Sequence, residues 1–351
     1  MPDAASAFAG RDRGIDCARG LAMILVVLGH NAAFAILAPG VVSLVFTFHV
    51  PAFFVISGCL LRPDRFDAWR AARRILVPFL LVGIALALAK SYLRETDASL
   101  ALLGLLWGTG ATLPSSQLWF LPALLLTLLA SVLLLDVVKR WSVPLPLALL
   151  ALLPIAWLAL QLPAPPLEVL RRPGEASPLG WPGNLDLVPM ACFFTLFGFF
   201  AMSKGLLQRL PDWGVLPALA VVVLCFALGA RTDLNLRVVE AFPLAVAAGI
   251  AGSIAVSLAG RWIARHGAWP AAALDVIGRH SMAILAFHVL AQNTAITLAT
   301  WRGAGVSELV VAAGLGLAIG LGFPLLLVRA FDVIQPRGFF LTEARKCNPR
   351  F

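Results

Sequence analysis

His30 stands inside an apolar run that extends from Leu21 to Leu37 and is long enough, with its flanks, to cross a bilayer. An ionisable group at that depth costs roughly 2.5 kcal/mol or more unless it is paired or lines a wet cavity, so its default reading is functional. Arg19 lies eleven residues earlier, about three helical turns or roughly 16 Å along the axis. Eleven steps of about 100° return it to nearly the same face. One face of the first membrane helix therefore carries a cation at its mouth and an imidazole at its midpoint.

A second set of chemically capable residues follows at once. Arg62, Arg65, Arg70, Arg73 and Arg74 lie within thirteen residues. Arg70, Arg73 and Arg74, at i, i+3 and i+4, share one face of a helix. Guanidinium forks on one face suit phosphates or a pyrophosphate; a plain basic anchor to anionic lipid is the competing reading. His49 lies nine residues after Gly40 and His30 ten before it. A turn at Pro39-Gly40 would make the first two spans an antiparallel hairpin with both imidazoles at about one depth. Pro51 would then kink the second span and free a backbone carbonyl. Each histidine could instead simply hydrogen-bond a neighbouring helix. Later in the chain, His288 falls well inside another apolar run, with Asn293 further out, and Trp119 opens a run at Leu118-Trp119-Phe120, where a belt role is the usual one.

The elements that position these residues follow from composition. Of 351 residues, 60% are hydrophobic and 13% charged, and the mean hydropathy is +0.92. This excludes a soluble domain and predicts an all-α polytopic membrane protein. The net charge of +9 does not point to nucleic acid, because the basic residues sit in short loops between apolar runs. Five scattered cysteines without a CxxC pair suggest neither a disulfide framework nor a zinc site, and no metal is expected. A signal peptide ending near Ala35 is disfavoured, because the apolar stretch runs on into a second span.

Ten spans are expected, at 20–38, 41–61, 75–92, 118–138, 143–162, 187–203, 214–230, 240–260, 280–300 and 306–329, with 330–351 a cytoplasmic tail. With both termini cytoplasmic, 20 of the 27 Lys and Arg fall inside and 7 outside, the asymmetry that membrane topology requires. The run Leu100–Trp107 is too short to span and reads as re-entrant or interfacial. The outer segments 93–117 and 163–186 are long enough to line a site facing outward. No separate soluble domain and no internal repeat is visible; the chain reads as one membrane-embedded domain.

Taken in order, the motifs resemble the integral-membrane acyltransferase-3 family, and within it the fucose 4-O-acetylase-like branch. They are Ile15-Asp16-Cys17-Ala18-Arg19-Gly20 with Gly29-His30, then Phe48-His49-Val50-Pro51 through Ser57-Gly58, then Arg70-Ala71-Ala72-Arg73 before Pro78. Leu118-Trp119-Phe120-Leu121 and Gly278 with Ser281, leading to Phe287-His288, complete the set. The resemblance covers spans one to four and nine; spans five to eight match in hydropathy alone. Where the family usually has an aromatic, often Tyr, before the last His, this chain has Leu285 or Phe287.

The resemblance implies a membrane O-acyltransferase that takes an acyl group, usually acetyl, from cytoplasmic acetyl-CoA. The acceptor is a hydroxyl of a surface or exopolysaccharide sugar, carried on a glycan or a lipid-linked oligosaccharide. Arg70, Arg73 and Arg74 would hold the CoA phosphates. Arg19 would position the donor or steady charge near the thioester, with Asp16 orienting its guanidinium. His30 would be the general base, or would carry the acyl group covalently. His49 would orient His30 or touch the acceptor, and Ser57, Trp119, His288 and Asn293 would line the acceptor site. Membrane lipid and separate polysaccharide-assembly proteins are the further partners implied, and a bacterial inner membrane the location. A secondary transporter or flippase for a polar or lipid-linked sugar is the alternative. A structural subunit would leave the cost of His30 unexplained.

Overall fold

Short polar caps punctuate the apolar runs and set the element order. The computed structural model describes residues 12–172, 174–175, 177–301 and 303–334; the tail from residue 335 lies outside the described residues. Asp12 opens α1 (Arg13–Gly29) by accepting from the N–H groups of Gly14 and Ile15. Asp67 and Asp97 do the same for α5 (Ala68–Arg94) and α6 (Ala98–Trp107). Such side-chain acceptors satisfy N–H groups that the first helical turn leaves unpaired. Between them lie α2 (Ala32–Leu37), α3 (Pro39–Phe46) and α4 (His49–Cys59). The chain continues through α7 (Phe120–Arg140), α8 (Leu145–Leu160), α9 (Val188–Ser203), α10 (Leu206–Arg209) and α11 (Val215–Ala227). A two-stranded antiparallel hairpin, β1 (Arg231–Asp233) with β2 (Val238–Glu240), pairs Thr232 with Val239. The last helices are α12 (Phe242–His266), α13 (Ala268–Arg279), α14 (Ser281–Ala299) and α15 (Val306–Ile334).

The architecture is all-α and polytopic, with the hairpin as the only sheet among the described residues. Among the described residues, seven helical segments are long and apolar enough to cross a membrane: Pro39–Cys59, Ala68–Leu93, Ser116–Arg140, Pro182–Ser203, Phe242–His266, Ser281–Ala299 and Val306–Ala330. They correspond to seven of the ten expected spans. Two more of those spans correspond to the shorter apolar helices Leu145–Leu160 and Asp212–Ala227. The run before Trp107 forms the ten-residue α6, too short to span.

The first two expected spans need correction. Span 20–38 is not one helix: α1 stops at Gly29, and α2 restarts at Ala32 behind Asn31, whose side chain accepts from the Phe34 N–H at 3.0 Å. Pro39-Gly40 is not a turn; Pro39 opens α3, and Ala38 alone separates it from α2. The helical path of span 41–61 is interrupted at Thr47-Phe48, and Pro51 does not kink it. The proline lies in the first turn of α4, where its missing N–H would have had no helical partner.

The described chain divides into two compact units, one within residues 46–255 and the other within 12–45 and 256–334. In the first, α9 packs on α4, α7 and α8, with Phe54, Phe194 and Leu196 fully buried. The crossing of α4 on α9 is backbone to backbone. A Cβ on Gly58 would sit 1.8 Å from the Thr195 carbonyl oxygen, and one on Gly198 would sit 2.0 Å from that of Val55.

In the second unit α1 packs on α13 and α14, α14 packs along α15, and α2 rests on α15. Here too small residues let the helices touch. A Cβ on Gly20 would lie 2.2 Å from the Leu274 carbonyl oxygen, and one on Gly278 would lie 2.3 Å from that of Asp16. Gly278→Ala should therefore push α13 off α1. The expected cost is about 1–3 kcal/mol, the usual range for overpacking, read as a lower thermal midpoint in detergent. An unchanged midpoint would show that α13 is free to give way.

Candidate functional site

The break in the first apolar run is the centre of the candidate site in the unit within residues 12–45 and 256–334. α1 reaches Gly29 after seventeen residues, about 26 Å of helix, and His30 closes it with φ −93° and ψ 5°. A helix end in an apolar setting leaves carbonyl and N–H groups that only other protein groups can satisfy. Two buried amides do this. Asn31 caps α2 with its oxygen and donates its Nδ2 to the Ala313 carbonyl of α15 at 2.9 Å. Gln292 of α14 donates its Nε2 to the His30 carbonyl at 2.6 Å. Both side chains are fully buried.

The ring of His30 is oriented by its own helix. Nδ1 lies 2.9 Å from the Val26 carbonyl oxygen. A carbonyl only accepts, so in the neutral ring Nδ1 carries the hydrogen and Nε2 carries the basic lone pair. His288 repeats the arrangement on α14, with Nδ1 at 2.9 Å from the Ile284 oxygen and 3.0 Å from that of Leu285. The two imidazoles meet edge to face, centroids 5.3 Å apart and planes at 87°. His288 is 0% exposed, as is Gln292 one turn further on. His288 Nε2 and Gln292 Oε1 have no hydrogen-bond partner among the described residues. Both are acceptors in this state, so the cluster matches a ligand that brings an O–H or N–H donor.

The other candidates of this unit are placed as follows. Asp16 is buried and Arg19 half-buried, one turn apart on α1. Cys17, between them, donates to the Ala271 oxygen at 3.6 Å, so this turn is held against α13. Asn293 is exposed on α14; its neighbour Gln292 is the residue that faces His30.

The unit within residues 46–255 holds the rest. Arg70, Arg73 and Arg74 lie on the first turns of α5 and are all exposed. Arg70 is 3.7 Å from Asp67, with 84% of its side chain open. His49 is buried at the first residue of α4, its ring 4.7 Å from that of Phe46. Ser57 is half-buried, and its hydroxyl donates to the Phe53 carbonyl at 2.8 Å. Trp119 is buried; only 5% is exposed, and its carbonyl accepts from Asn184 Nδ2 at 3.2 Å. Asn184 also donates to the Gly108 carbonyl and accepts from Arg237. Arg237 in turn pairs with buried Asp186 at 2.9 Å. Among the described residues no His, Cys, Asp and Glu side chains cluster to hold a metal ion.

A family model described as an acyltransferase domain matches residues 12–329. The chain belongs to the acyltransferase-3 family. No curated protein and no solved structure matches it. The protein is thus a multi-pass membrane acyltransferase. In this acyltransferase Gln292 and Asn31 are not among the residues that charge or motif spacing mark out. A signal for Gln292 was present, because it stands four residues after His288 and so shares its helix face.

Proposed function

We propose that this acyltransferase moves an acetyl group from cytoplasmic acetyl-CoA to a hydroxyl of a surface or exopolysaccharide sugar, with His30 as general base. The observation that carries the reading is the His30 ring at a helix break, its Nδ1 2.9 Å from the Val26 carbonyl oxygen, which makes Nε2 the basic nitrogen of the neutral ring. In the step envisaged, Nε2 takes the proton of the acceptor O–H, and the oxygen attacks the thioester carbonyl. The C–S bond breaks, and the departing thiolate of CoA recovers the proton from the imidazolium. The unpartnered acceptors of His288 and Gln292 suit a sugar, which offers several hydroxyl donors. The exposed arginine face of α5 suits the phosphates of CoA.

The test is acetyl-CoA binding and slow hydrolysis by the detergent-purified protein. Wild type should bind and turn over. Charge-assisted hydrogen bonds contribute about 1.5–3 kcal/mol each. Exposure of the arginines reduces this, and Arg70→Ala/Arg73→Ala should raise the Kd for acetyl-CoA by about 10–100-fold. No affinity in wild type for any acyl-CoA would sink the donor assignment. Unchanged affinity in the double variant would leave the arginines as lipid anchors. Movement of a sugar substrate across vesicles without acyl transfer would bring the transporter reading forward, which the broken first helix otherwise also suits.

A further inference from the structure

We infer that Gln292 is a positioning residue for His30, acting through the backbone rather than on the reacting atoms. The inference rests on the reading of His30 as the base, and three observations carry it. Gln292 is fully buried on α14, and its Nε2 donates to the carbonyl of His30 itself at 2.6 Å. That carbonyl belongs to the residue at which α1 stops, where the helix no longer supplies a partner and a buried carbonyl needs one. The assignment of the amide is fixed by its neighbour, since only the NH2 end can donate to a carbonyl. Its Oε1 is then an acceptor without a partner among the described residues.

The surroundings hold the amide in place. A Cβ on Gly320 of α15 would fall 3.3 Å from Gln292 Cβ, 3.4 Å from its Oε1 and 3.0 Å from Val27 Cγ1. So α15 packs tightly against both the amide and the last turns of α1. The His30 ring takes its direction from a break whose two sides are tied separately, by Asn31 to α15 and by Gln292 to α14. With Gln292 altered, the His30 carbonyl loses its donor and the break relaxes, while His30 itself stays in the chain. Misplacing a reacting group by about 1 Å can cost about 100-fold in rate.

The experiment uses the full-length protein with Gln292→Met, which keeps the length and removes the amide, and Gln292→Leu, which removes the amide with a branched apolar side chain that can neither donate nor accept. Thr294→Ala, exposed on the same helix, is the matched control. Turnover of acetyl-CoA should fall about 10–100-fold in kcat for both variants, with the Kd for acetyl-CoA unchanged. An independent readout is the rate at which diethyl pyrocarbonate modifies His30, followed by peptide mass spectrometry. That rate should change several-fold in both variants and not in the control. Wild-type kcat and wild-type His30 modification in both would overturn the inference. So would failure of both variants to give folded protein, which would make Gln292 a determinant of the fold alone. Absence of acyl-CoA turnover in wild type would count against the proposed reaction, while the modification rates would still decide whether Gln292 positions His30.

Discussion

His30→Asn is expected to bind acetyl-CoA as wild type does and to lose about 10²–10⁴-fold in transfer, the range general-base catalysis supplies. Asparagine is the informative substitution because of the hydrogen bond that orients the ring. Its amide nitrogen can take the place of Nδ1, which lies 2.9 Å from the Val26 carbonyl, so the helix end keeps its tie. What is removed is Nε2 and its lone pair. His30→Ala removes both, and should be no less impaired in rate but also less stable. A base works only while unprotonated, so the wild-type rate should fall on the acid side. That limb should be missing from the residual rate of His30→Asn. Full activity in His30→Asn would refute the base assignment outright. Acid-quenched protein carrying acetyl on His30 after exposure to labelled acetyl-CoA would instead establish the covalent route.

The candidate residues stood out by type in the sequence, but their local geometry did not. Arg19 and His30 announced themselves by residue type, because charge in an apolar run is costly. The break at His30 did not. Length and hydropathy rules treat residues 20–38 as continuous, whereas Asn31 acts by capping a new helix and reaching Ala313, a contact 282 residues away in sequence. Pro51 misled for a related reason: a proline kinks a helix interior and suits a first turn, and hydropathy does not say which it occupies. Asn293 and Gln292 are adjacent, a step of about 100° around the helix. Only the phase of α14 decides which one is buried. Several motif glycines proved to be contact points: Gly20, Gly58 and Gly278 each face a carbonyl oxygen of a packed helix. In this chain these motif positions therefore serve helix packing and not chemistry.

The second large effect is expected far from His30 in sequence, at the Arg237–Asp186 pair. Both side chains are less than a tenth exposed, and Nε of the arginine lies 2.9 Å from Asp186 Oδ2. Arg237 also donates to Asn184 Oδ1 at 2.9 Å and to the Asn235 carbonyl at 2.8 Å, and Asp186 accepts from the Trp181 N–H at 3.3 Å. The group ties together the loop before α9 and the turn between β1 and β2. Through Asn184 it reaches the backbone of Trp119. Left-handed backbone at Asn184, φ 65°, and at Arg237, φ 57°, is held by these bonds at a conformational cost. Removing one member leaves the other charge buried and unpaired, which typically costs 3–5 kcal/mol. Asp186→Ala and Arg237→Ala should therefore each lower the thermal midpoint in detergent on the order of 10 °C. Asp186→Asn, which keeps an acceptor oxygen, should lose less. A double variant, Asp186→Leu/Arg237→Met, should be less destabilised than the two single losses added together, because it leaves no charge stranded. Strict additivity would show that the two side chains act independently. Acetyl-CoA affinity should be unchanged throughout, since the arginines of α5 are outside this network. A loss confined to stability would mark the pair as a scaffold for the loop that carries Asn184, whereas a loss of transfer in folded Asp186→Asn would mean that this loop also shapes the acceptor site.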